Sequence, residues 1–174
     1  MSSLNKGLER IEVDLSWDPS PAGSAGHDLD LVAATYTTVE PPGAPAYLVH
    51  FDSRAPDGTI TLTRDSRDGK GLGVDERLVL ELDRLAHRYR RVVVGIAIQQ
   101  GAGLLTFGDI ANPAARIRNG RDELAAVDFT RVGGATAARV AEFTRDSSGA
   151  WVFRSGIHGF DADPETFART MGAR

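Results

Sequence analysis

Ile11, Val13, Leu15 and Trp17 alternate with Glu12, Asp14 and Ser16. Alternation of this kind puts one apolar and one polar face on an extended chain, so Leu8 to Trp17 reads as a half-buried strand. The pattern recurs. Leu29–Thr38 is rich in β-branched and aromatic residues, and in Arg77–Leu82 the residues Leu78, Leu80 and Leu82 share a face. Val92–Gln99 is almost wholly apolar and β-branched, as in a central strand covered on both sides. Ala46–Asp52, Thr59–Thr63, Ala114–Arg118, Leu124–Thr130, Ala137–Asp146 and Trp151–Ile157 continue as shorter strands, although Ala135–Glu142 also reads as helical.

Turn signals separate these segments. Asp18–Ser24 holds two prolines among small residues, and Pro41-Pro42-Gly43 closes the second strand. Pro56-Asp57-Gly58 predicts a hairpin joining Ala46–Asp52 to Thr59–Thr63, and Ser147-Ser148-Gly149 predicts another before Trp151. Pro164–Met171 reads as a C-terminal helix, with Asp163 as N-cap and Pro164 at the first helical position. Many short strands at this spacing predict an all-β chain: a β-sandwich of two mostly antiparallel sheets with a short C-terminal helix. The expectation is one domain over residues 1–174.

Composition narrows the function. The chain has no cysteine, which removes disulfides, thiol catalysis and iron–sulfur or Cys-based zinc sites. Net charge is −4 and no basic stripe stands out, which argues against nucleic acid as a partner. The N-terminus lacks the apolar stretch of a signal peptide, and no apolar run approaches the ~20 residues of a spanning helix. The expected location is the cytoplasm. His27, His50, His87 and His158 form no HxH or HxxxH pair, and neither GxSxG nor GxxxxGK[ST] occurs.

Two segments carry chemistry. In Gly26-His27-Asp28-Leu29-Asp30-Leu31, residues two apart face the same way. Asp28 and Asp30 therefore point to one side and Leu29 and Leu31 to the other. Two adjacent carboxylates repel unless a positive group sits between them. Asp65 to Glu76 is an acidic loop in which Gly69, Gly71 and Gly73 let backbone carbonyls turn inward. Asp65, Asp68, Asp75 and Glu76 add carboxylate oxygens. Ca2+ takes six to eight oxygens from a mixed set of this kind. The loop is not an EF-hand, because Arg67, Gly69 and Lys70 occupy its third, fifth and sixth positions and its flanks read as strands. A solvated loop between strands, with Lys70 or Arg67 pairing with Asp28, Asp30 or Asp65, is the alternative.

These residues resemble the TerD family. The resemblance rests on Asp28-Leu29-Asp30, on Ala55-Pro56-Asp57-Gly58, and on the loop from Arg64 to Glu76. It continues through Thr106-Phe107-Gly108 and a Trp-x-Phe-x-x-x-Gly-x-Gly run at Trp151–Gly159, so it spans nearly the whole chain in order. It implies a two-sheet β-sandwich, Ca2+ held by the Asp-Leu-Asp pair and the acidic loop, and a non-enzymatic role, with protein partners, in tellurite resistance and stress response. Ser66, Lys70 and Val74 stand where the family has Asn, Glu and Asp, while Asp68 is an added acid. Fewer carboxylates predict one ion or a weak site at Asp28, Asp30, Asp65, Asp68, Asp75 and Glu76. A metal-free interaction module and a small-molecule enzyme are the competing expectations.

Overall fold

The computed structural model describes residues 7–24, 26–39, 44–50, 55, 57–64, 74–101 and 103–173. Among the described residues, ten strands precede one α-helix: β1 (Arg10–Ser16), β2 (Leu29–Tyr36), β3 (Tyr47–Val49), β4 (Ile60–Arg64), β5 (Glu76–Glu81), β6 (Arg91–Ile98), β7 (Ala114–Asn119), β8 (Asp122–Ala126), β9 (Ala137–Arg145), β10 (Trp151–Phe160) and α1 (Pro164–Thr170). They form two five-stranded sheets, ordered β4-β5-β1-β7-β8 and β10-β9-β6-β2-β3, with every pairing between named strands antiparallel.

The alternation in the sequence determines what each face touches. Ile11, Val13 and Leu15 of β1 meet Leu29, Leu31, Val92, Val94 and Ile96 of the other sheet in one buried cluster. Glu12 and Asp14 stay on the outer face. There Arg77 donates to Asp14 through Nε at 2.6 Å and Nη2 at 3.2 Å, and Arg118 donates to it at 2.7 Å. Arg118 is thus tied into a cross-strand charge ladder.

The second sheet is covered on both sides, which is why every residue of β2 and β6 is buried. Its outer face carries α1. Phe167, Ala168 and Met171 pack there on Val32, Ala34, Val93 and Ala97. Asp163 caps the helix by accepting from the Thr166 amide at 2.7 Å, as its sequence position predicts. Arg91 donates to the Gly172 carbonyl at 2.7 Å and holds the far end down.

Two expectations change, and one alternative falls. The proposed hairpin around Asp57-Gly58 is an arch instead: β3 pairs with β2 in one sheet, and β4 pairs with β5 in the other. Gly58 has φ +74 and Asp57 accepts from the Thr59 amide at 3.1 Å, so the turn is real. Its flanks feed facing sheets because Val49 and Ile60 both belong in the shared core. The segment Leu124–Thr130 leaves the strand early. Phe129–Val132 forms a 3-10 turn, with Asp128 accepting from the Thr130 amide. Ala137–Arg145 is a strand, so the helical alternative for that stretch fails. Among the described residues, no helix is long and apolar enough to cross a membrane.

Candidate functional site

The acidic loop connects β4 to β5, which pair as an antiparallel hairpin with Arg64 opposite Arg77. Asp65 and Asp68 lie outside the described residues. Asp75 and Glu76 close the loop at the head of β5, and both are buried.

They reach in opposite directions, as neighbours on a strand must. Asp75 turns to the end of β1: its amide donates to the Leu15 carbonyl at 2.9 Å, and its Oδ2 accepts from the Trp17 amide at 2.9 Å. Glu76 shares the inward face of Leu78 and Leu80, and its Oε2 accepts from the Leu31 amide at 2.5 Å. A carboxylate of one sheet thus bonds the backbone of the other, one residue from Asp30.

Asp28 and Asp30 stand at the start of β2. Leu29 and Leu31 face the core between the sheets, and Asp30 faces the α1 side, as the alternation requires. Asp30 is only 5% exposed and accepts from the Gln99 side-chain amide. The Gln99 backbone amide donates to the Asp28 carbonyl at 2.8 Å. Gln99 therefore serves both halves of the Asp-Leu-Asp segment, a role that sequence reading missed. The signal was present in the break from an apolar run to Gln99-Gln100, at the strand end that lies beside Asp28.

Trp17 ties the parts together. Its indole Nε1 donates to the His27 carbonyl at 2.9 Å, next to Asp28, while its amide holds Asp75. Four of the six predicted ligands, Asp28, Asp30, Asp75 and Glu76, thus come to one end of the sandwich. Their carboxylates diverge, however. Among the described residues, no three His, Asp or Glu side chains converge as a metal-holding group. Asp75 is 1% exposed, and its Oδ1 has no hydrogen-bond donor among the described residues. Beside Asp30, between the outer face of the second sheet and α1, lies a cleft of about 570 Å3 with His50, Gln99 and Arg169 on its walls.

A TerD domain model matches residues 1–170. This chain belongs to the TerD family. The TerD domain here is 26% identical over 161 residues to a tellurium resistance protein TerD of Alcaligenes sp., covering 89% of this chain and 83% of the relative. It is 31% identical over 156 residues to tellurium resistance protein TerX of Serratia marcescens, covering 86% of this chain and 71% of the relative. Among solved structures, it resembles a homologue of telluride resistance protein TerD, SCO6318 from Streptomyces coelicolor A3(2). That match has 51% identity and a TM-score of 0.92, over 95% of this chain and 98% of that one. It also resembles SAV2460, a protein of unknown function, with 57% identity and a TM-score of 0.94 over 97% and 99% of the two chains.

Proposed function

We propose that this TerD domain is a non-enzymatic Ca2+-binding interaction module of a tellurite-resistance type stress response. The observation that carries the reading is Asp75. A carboxylate oxygen removed from water costs free energy unless something positive or a donor meets it. Asp75 Oδ1 is so placed, at the point where the acidic loop returns to the sandwich. The donor types fit a hard cation, since Asp28, Asp30, Asp75 and Glu76 offer only oxygen.

In this reading Asp75 and Glu76 anchor the loop, and their bonds to Trp17 and Leu31 fix where its oxygens return. Asp65 and Asp68 would supply further oxygens. Bound Ca2+ would supply positive charge beside Asp75, and the loop around it would form the binding surface. Protein partners, rather than a substrate, would read that surface.

Calorimetric titration with Ca2+ tests the proposal, together with melting curves in EDTA and in millimolar Ca2+. Ligand bound to the native state must raise stability. Heat of binding with a higher melting temperature, both lost in Asp75→Asn, is the expected result. No heat and an unchanged melting temperature would sink the metal.

The Gln99 amide on Asp30 favours a second reading, a metal-free TerD scaffold in which protein donors replace the ion. Under that reading Lys70→Glu creates Ca2+ binding in a chain that had none.

A further inference from the structure

The Trp-x-Phe-x-x-x-Gly-x-Gly run forms β10, and its middle is a bulge. Ser155 pairs with Ala141 and His158 pairs with Arg139, so Gly156 and Ile157 together oppose Val140 alone. Gly156 has φ +133, a conformation that side chains resist, although a Cβ there would meet open space. Glycine is therefore present for the backbone rather than for packing. Bulges of this kind redirect side chains and take backbone amides out of the pairing ladder.

What the bulge redirects is a groove of about 210 Å3 on β9 and β10, lined by Arg139, Glu142, Arg154, Ser155, Gly156 and His158. Two guanidinium groups and an imidazole face one carboxylate. That carboxylate, Glu142, is already bonded by Arg91 Nε. Arg139 is half-buried, and its Nη1 donates to the Met171 carbonyl at 3.3 Å, so its charge is fixed in place. The whole chain carries a net charge of −4, so this cationic excess is local. The groove is smaller than the ~300 Å3 at which pockets for drug-sized ligands begin.

We infer that this groove binds a tetrahedral oxyanion of the phosphate class, held by Arg139, Arg154, His158 and the bulge at Gly156-Ile157. Guanidinium groups suit such an anion because they offer paired N–H donors in a plane. The groove is separated from the Asp30 end of β2 by β6, and its anion does not depend on calcium.

The test uses the full chain in EDTA at constant ionic strength. Inorganic phosphate and phosphoserine are titrated separately, and amide chemical shifts are followed. The expected result is saturable binding in the millimolar range, with the largest shifts at Ser155, Gly156 and His158. Arg154→Ala, an exposed position, should weaken binding by roughly tenfold or more, while Arg84→Ala, outside the groove, should not. Tighter binding of inorganic phosphate points to the free ion, and tighter binding of phosphoserine to a phosphate carried on a larger molecule. Absence of saturable shifts with both anions, or equal affinity in Arg154→Ala and the native chain, overturns the proposal.

Discussion

Glu76 on the first sheet accepts the Leu31 amide of the second across the end of the sandwich. Two sheets that share a largely apolar core are joined there by a buried polar bond between a carboxylate and a backbone. The bond fixes the head of β5, and hence the point where the acidic loop returns, against the Asp28–Asp30 segment.

Glu76→Ala should therefore destabilise the fold even without metal. The Leu31 amide would be left buried without its acceptor, a loss of about 1–3 kcal/mol. Glu76→Gln keeps an accepting oxygen and should lose less. Urea unfolding in EDTA separates the two. Equal midpoints for Ala, Gln and the native chain would show that the bond contributes nothing to stability.

Gly95 is the seat of the C-terminal helix. A Cβ at this position would lie 2.4 Å from the Phe167 ring and 3.1 Å from the Ala138 carbonyl. Gly95→Ala should lift α1 from the sheet at a cost of about 1–3 kcal/mol, the usual range for overpacking a core. The double variant Gly95→Ala with Phe167→Leu should recover part of that loss, because the two side chains compete for one space. Thermal melts of the four proteins decide it, and strict additivity would argue against the clash.

The β-sandwich was legible because its strands carry their burial pattern in period two, and the charge alternation of β1 predicted which residues face water. The helix was legible because Asp163 and Pro164 mark its start. The arch between β3 and β4 was not, since a turn at Asp57-Gly58 reverses the chain identically whether its flanks pair or enter facing sheets. At the candidate site, sequence spacing located Asp28, Asp30, Asp75 and Glu76 but not their partners. Trp17, Leu31 and Gln99 are brought there by contacts across 45 to 69 residues, and of the three only Gln99 left a local trace, in the break from the apolar run.

Acid should loosen the turns before the core. Asp163 is held below the usual carboxylate range by the Thr166 amide, Asp109 by the Thr106 amide, Asp128 by the Thr130 hydroxyl and Asp146 by the Ser148 hydroxyl. A carboxyl with a lowered folded pKa stabilises above its unfolded value, about 3.9 for Asp, and loses that contribution as pH falls through the folded value. Urea midpoints should therefore drop below about pH 4. Asp163→Asn should flatten part of that drop. Carboxyl carbon shifts give the site directly, and an Asp163 that titrates at the ordinary value would contradict the cap.

Arg145 is buried among neutral acceptors. Nε donates to the Tyr89 carbonyl at 2.8 Å, Nη2 to those of Leu85 at 2.8 Å and Ala86 at 3.3 Å, and Nη1 to that of Gly149 at 3.1 Å. The guanidinium also lies 4.3 Å over the Trp151 ring. Burial pushes its pKa down, and Arg90 adds to this, so the carbonyls and the ring must hold a charge in a place that disfavours it. One side chain thereby links the Leu85–Tyr89 loop to the β9–β10 hairpin. Lysine cannot reproduce a planar fork that reaches four carbonyls. Arg145→Lys and Arg145→Met should both lose on the order of 2–3 kcal/mol, the usual scale for charged hydrogen bonds. The Tyr89 amide, bonded to Ala86, should exchange faster in both variants, and Trp151 fluorescence should shift to the red. A lysine variant with native exchange and native fluorescence would show that charge alone, and not the fork, holds the loop.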